Sequence, residues 1–175
     1  MELFEAFAAR HSYRGAFKNT PVPREDLKKI VEAGMMAPSG CNAQTTLFAI
    51  VDDPAMIQAV AQIVPKTCVK TAKAIIAVIS QAKEVYHDMS FEAQDYSAAV
   101  ENMLLAITGL GYASVWLDGV LRIGGTADRI GEMLHVPKDG NMTVSVILPL
   151  GVPEEAGRQN DRLPFEQRAW YNRRA

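Results

Sequence analysis

Two short stretches of this 175-residue chain carry more charged and hydrogen-bonding side chains than their surroundings require. The first is Arg10-His11-Ser12-Tyr13-Arg14. Side chains alternate along an extended backbone, so Arg10, Ser12 and Arg14 share one side. The two arginines then stand roughly 13 Å apart at about 3.3 Å per residue. Their long guanidinium arms can still converge on one phosphate, or divide between a phosphate and its sugar chain. Such charge-assisted bonds are worth about 1.5–3 kcal/mol each. A solvated basic linker serving a helix C-terminus has the same spacing, so this pattern alone leaves both readings open.

The second stretch is residues 36–44, Met-Ala-Pro-Ser-Gly-Cys-Asn-Ala-Gln. Pro38 ends a helix at or just before Ala37, and an apolar strand begins a few residues later. Ser39 and Asn42 can hydrogen-bond the edge of a planar heterocycle, and Gly40 lets backbone approach it closely. A plain helix C-cap with Asn42 in a turn accounts for the loop equally well. Pro149-Leu150-Gly151 ends the last apolar strand, and ligands gather at strand carboxyl ends in open α/β sheets. Arg162, in Arg162-Leu163-Pro164-Phe165, offers a further cation. A strand-terminating turn and a solvated arm are the simpler accounts of those two segments.

The motifs that are missing narrow the chemistry. The chain has no GxxxxGK[ST] and no G-x-G-x-x-G after a strand, which leaves phosphate-loop and dinucleotide-fingerprint binding unsupported. His11, His87 and His135 are scattered without metal-ligand spacing, so no metal is expected, and His135 reads as a helix end. Acyl transfer lacks a GxSxG elbow and a Cys–His pair. Cys41 reads as a small buried hydrophobe. Asp88, Glu92 and Asp95 flank a helix start, where acids serve the dipole.

The elements that must position these groups follow from periodicity. Leu3, Phe4 and Phe7 share a face of an N-terminal helix over residues 2–9. Leu27, Ile30, Val31, Gly34 and Met35 form a core-facing stripe on the next helix. Buried strands are predicted at Thr46–Val51, Ala74–Ser80 and Met142–Leu150, with a short one over Tyr112–Leu117. Asp52-Asp53-Pro54 caps a helix to about Val64, Phe91–Gly111 is the longest helix, and Thr126 caps one ending at Leu134. Gly109-x-Gly111 closes the long helix. Helices alternating with apolar strands predict an α/β or α+β sheet covered on both faces. Residues 151–175 lack periodicity, hold five arginines and several aromatics, and are expected to pack on a neighbouring subunit.

A chain of this length is most simply one domain, burying about 70% of its unfolded surface. A net charge of −2 provides no basic field for nucleic acid or anionic membranes. Two cysteines without a CxxC pair imply no disulfide framework. No leader or membrane-length apolar run is visible, so a cytoplasmic protein is expected.

Taken jointly, the pieces resemble the nitroreductase family of FMN-dependent oxidoreductases. The resemblance runs through Arg10–Arg14, Ala37–Gln44, Asn102-Met103-Leu104-Leu105-Ala106, Gly109-Leu110-Gly111, Leu150-Gly151-Val152-Pro153 and Arg162–Glu166. It implies an α+β fold with a central mixed or antiparallel-type sheet between helices, in an intertwined homodimer with FMN at the interface. Arg10, His11, Ser12 and Arg14 would hold the FMN phosphate and ribityl chain, with Arg162 adding to the phosphate. Pro38, Ser39, Gly40 and Asn42 would come from the other subunit and border the isoalloxazine. Pro149, Leu150 and Gly151 would lie on the ring's far side. Thr45 and Thr46 stand where members commonly have Pro-Trp, and residues 65–73 are short where larger members carry a helical excursion.

The implied activity passes electrons from NAD(P)H through FMN to a nitroaromatic, quinone or activated enone. Alternatives are a specialised flavin enzyme such as a dehalogenase, a non-catalytic flavin-sequestering module, or a small domain for another phosphate ligand.

Overall fold

Alternation along one central strand decides the layers. The computed structural model describes residues 1–138 and 140–174. In β2, Ala74–Gln81, the side chains of Ala74, Ile76 and Val78 enter one core cluster and those of Ile75, Ala77 and Ile79 the other. All six are buried. A strand apolar on both faces has to be covered on both faces. Helices α2 (Arg24–Met35) and α5 (Glu92–Gly109) cover the first with Leu27, Ile30, Val100 and Met103. The second is covered by α3 (Pro54–Ile63), α4 (Thr67–Lys70) and α6 (Thr126–Met133), through Ile57, Val60, Val69 and Ile130. This is an α+β fold with helices on both faces of the sheet, as expected.

With β1 at Thr46–Val51, β5 at Ala113–Ser114 and β6 at Met142–Gly151, the strand order is β1-β2-β6-β5. Each adjacent pair is antiparallel. A parallel bridge from Ser12 to Ser114 extends the outer edge. Val78 pairs with Val146 but Ile79 with Val144, so Ser145 is the extra residue of a β-bulge. The bulge lets Val144 and Ile147, an odd number of residues apart, pack into the same core layer. The remaining elements are α1 (Leu3–Ala9), the hairpin of β3 (Glu84–Tyr86) and β4 (Met89–Ser90), and α7 (Phe165–Arg168).

The predicted caps hold in part. Asp53 accepts the Met56 N–H at 2.9 Å, with Pro54 opening α3. Gly111, at φ 85, ends α5: Tyr112 N–H reaches the Ile107 carbonyl and Gly111 N–H that of Thr108. His135 closes α6 through the same main-chain pattern. Thr126 does not cap α6. Its hydroxyl turns back to the Ile123 carbonyl, and left-handed Gly125 occupies the cap.

Other expectations are corrected by tertiary context. Strand β1 lies at a sheet edge, which leaves Leu47 and Ile50 exposed, and Met35 is exposed at the end of α2. The 84–90 hairpin turns through left-handed His87 and Asp88, a pair without the Asn-Gly signature of such turns. The carboxyl-end rule used for Pro149–Gly151 belongs to parallel sheets, and this sheet is antiparallel. Among the described residues no helix is long and apolar enough to cross a membrane.

Candidate flavin site

The N-terminal linker is extended at Ser12 and Tyr13, because the sheet edge holds it there. Tyr13 N–H donates to the Ser114 carbonyl at 2.9 Å, and the Tyr13 ring is buried against Phe17. With Tyr13 turned inward, Ser12 and Arg14 face outward. Arg10 lies flatter and pairs with Glu101 of α5, Nε to Oε1 at 3.3 Å. The Arg14 guanidinium is exposed, with one long 3.5 Å contact to the Ser12 carbonyl. His11 Nδ1 donates to the Ala9 carbonyl at 2.9 Å, which leaves Nε2 as an acceptor. That Nε2 is buried without a hydrogen-bond partner.

The strand end and the arm arrive at the same corner. Ser114 pairs with Leu150 across β5 and β6, and its buried hydroxyl donates to the Pro149 carbonyl at 2.8 Å. Leu150 is fully buried, its side chain in the core and its carbonyl accepting the Lys73 N–H, so it supports the corner from within. Gly151 lies against Phe17, where a Cβ would come within 3.0 Å of the ring's own Cβ. From the arm, Gly157 covers the His11 ring so closely that any side chain there would collide with it. Gln159 Nε2 donates to the Arg10 carbonyl, and Arg162 donates to Gln159 Oε1 at 2.6 Å. Arg10, His11, Ser12, Arg14, Pro149, Leu150, Gly151 and Arg162 thus belong to one connected corner.

The 36–44 loop belongs to a different place. Its hydrogen bonds lead to Asp95, in the first turn of α5, whereas the linker's ion pair leads to Glu101. Those positions are six residues apart on the helix, about 9 Å along its axis. Pro38 and Asn42 are exposed, and Ser39 and Gly40 are partly so. Residues Gly40–Asn42 form one 3₁₀ turn, with Cys41 at φ 50 and Asn42 at φ 54. Cys41 is therefore exposed, contrary to the buried thiol expected; the buried one is Cys68, whose pKa burial pushes up.

Asp95 has a part that sequence reading did not supply. It lies in the first turn of α5, where acids serve the dipole, but it is also 5% exposed and bonded to the loop. Three residues after Glu92 and facing the core side of α5 it had a signal, since a carboxylate amid Tyr96, Ala99 and Met103 is out of place without partners. Thr46 Oγ1 is also buried and unpartnered, beside a cavity of about 270 Å³ lined by Met35, Ser39, Gln44, Phe48 and Asp95. No cluster of potential metal ligands occurs among the described residues.

An antiparallel sheet between two helical layers, with an arginine linker laced to its edge, is the architecture of a known oxidoreductase family. The chain belongs to the nitroreductase family, which it matches over residues 7–74 and 65–152. A relative from Archaeoglobus fulgidus, provisionally named NADH dehydrogenase/NAD(P)H nitroreductase, is 32% identical over 155 residues, covering 88% of this chain and 87% of its own. An NADPH-dependent oxidoreductase from Staphylococcus saprophyticus is 27% identical over 181 residues, covering 94% of this chain and 70% of its own. A solved structure from Desulfovibrio desulfuricans, a provisionally assigned nitroreductase in complex with FMN, superposes with a TM-score of 0.82 at 27% identity. It covers 100% of this chain and 99% of that one.

Proposed function

We propose that this oxidoreductase binds FMN and passes electrons from NAD(P)H to a small acceptor by a two-step hydride exchange. The observation that carries the reading is the corner itself. Four segments distant in sequence, at residues 10–14, 113–114, 149–151 and 157–162, are joined there by hydrogen bonds and packing. An exposed Arg14 fork with a near-empty bonding shell, a neighbouring Ser12 and a second arginine on the arm suit a phosphate ester. His11 helps to shape the corner, its ring held at the Ala9 carbonyl and covered by Gly157 of the arm.

FMN supplies the hydride chemistry when bound, which is why no general base is needed among the side chains. The protein's own part is to hold the phosphate through Arg14, Ser12 and Arg162 and to position Arg10 through Glu101. Pro149, Leu150 and Gly151, all buried, form the sheet end that supports the corner. Pro38, Ser39, Gly40 and Asn42 are anchored at Asp95 and not at the Glu101 corner, on an exposed loop. They are assigned to the partner's flavin in a homodimer, with the 151–175 arm wrapping that partner; its last residue lies outside the described residues. The acceptor class is a nitroaromatic, quinone or activated enone.

A visible spectrum of the purified protein tests this. It should be yellow, or become so with FMN, and should bleach anaerobically with NADH or NADPH. A protein that stays colourless after FMN addition defeats the proposal. A yellow protein that neither nicotinamide bleaches is the sequestering module instead, and rates against a nitroaromatic and a quinone then sort the acceptors.

A further inference from the structure

The buried carboxylate of Asp95 has no role in the corner, nor does it pair with a basic side chain among the described residues. Both of its oxygens go to the 36–44 loop and its exit. Oδ1 accepts the Gly40 N–H at 2.8 Å, and Oδ2 accepts the Thr45 hydroxyl at 2.6 Å. Between those two anchors three non-glycine residues adopt left-handed backbone: Cys41 (φ 50), Asn42 (φ 54) and Gln44 (φ 50). Such conformations persist only where the surroundings over-determine them. Part of that constraint is internal, since Ser39 Oγ accepts the Gln44 N–H at 3.0 Å. The rest comes from α5, where the Phe91 ring packs on Gly40 so tightly that a Cβ would stand 2.5 Å from Cδ2.

Burying an anion without a cation costs stability, and a shape-matched apolar residue would serve the core at least as well. What Asp95 does provide is a fixed shape for an exposed loop. We propose that Asp95 is a positioning residue for the flavin site, setting through Gly40 and Thr45 the shape in which Ser39 and Asn42 meet the isoalloxazine. The inference rests on the FMN reading above. It also gives Thr45 a part: its hydroxyl is one of the two anchors, which the proline common at this position in the family could not supply.

The test compares Asp95→Ala, Asp95→Asn and Thr45→Val in the full-length protein. Asparagine can accept from Gly40 through Oδ1 and donate to Thr45 through Nδ2, so it keeps both links without the charge. In the flavin-free protein, amide exchange at Gly40 should be fast in D95A and protected in wild type and D95N. FMN should bind D95A about tenfold more weakly, the equivalent of one charge-assisted hydrogen bond, with D95N near wild type and T45V between. If D95A fails to fold, T45V carries the same comparison at one anchor. The proposal is overturned if Gly40 exchange and FMN affinity in D95A, or in T45V where that variant stands in, match wild type, or if D95N is as impaired as D95A. Wild type failing to bind FMN would instead defeat the flavin reading, so the two failures are distinguishable.

Discussion

The Tyr13 N–H donates to the Ser114 carbonyl at 2.9 Å, and this one bond hangs the arginine linker on the edge of the sheet. Ser114 faces the other way through its hydroxyl, to Pro149. A polar linker near the N-terminus and an apolar strand end more than a hundred residues later thereby become neighbours.

Arg14→Ala should release FMN. The exposed fork loses charge-assisted bonds of about 1.5–3 kcal/mol each, so affinity should fall by about ten- to a hundredfold. Because bound cofactor stabilises only the native state, the melting temperature of the purified holoprotein should drop with it. Flavin occupancy unchanged in the variant would show that the phosphate lies elsewhere.

The proposed dimer makes a prediction about mass. Leu3, Phe4, Phe7, Met36, Trp170 and Tyr171 are all exposed on the single chain, apolar side chains that the proposed subunit interface would cover. Light scattering of the FMN-bound protein should return twice the 19.2 kDa of one chain. A monomeric mass with flavin still bound would refute the shared site.

Gly40→Ala should destabilise the protein by about 1–3 kcal/mol, because the new methyl would stand 2.5 Å from Phe91 Cδ2 and something must shift to admit it. Thermal melting measures this. Combining the change with Phe91→Leu should recover part of the loss; two strictly additive losses would mean the collision is not the cause.

Tyr112 donates its hydroxyl to Asp26 Oδ2 at 2.8 Å, tying the exit of α5 to the start of α2. Burial, then the bond to Asp26 and its charge, push the phenol pKa up. A raised folded-state value means the bond's contribution is intact below the ordinary phenol range of about 10 and is lost as pH climbs through the folded value. Tyr112→Phe should therefore melt below wild type near neutrality, and the gap should close in strong alkali. A gap that is constant with pH would assign the loss to packing.

Much of this protein was legible in its sequence, and for a physical reason. Runs such as Ala74–Ser80 and the 3.6-residue stripe of α2 bury themselves locally, so periodicity predicts them whatever the topology. The spacing Arg10-x-Ser12-x-Arg14 likewise determines which side chains share a side once the backbone is extended. Together with Ala37–Gln44, Leu150-Gly151 and Arg162–Glu166 it was enough to mark the family.

Sequence could not say where those segments meet. That Ser12 bridges Ser114, that Gln159 joins Arg10 to Arg162, and that β1 lies at an edge with Leu47 and Ile50 exposed are outcomes of strand order, which pairs residues without regard to their separation along the chain. Asp95 shows the same limit most clearly. Its position near a helix start predicts an acid serving the dipole, and only the packing of the 36–44 loop on α5 makes it a buried anchor as well. Local pattern marked which residues could carry chemistry; tertiary pairing decided which of them face one another.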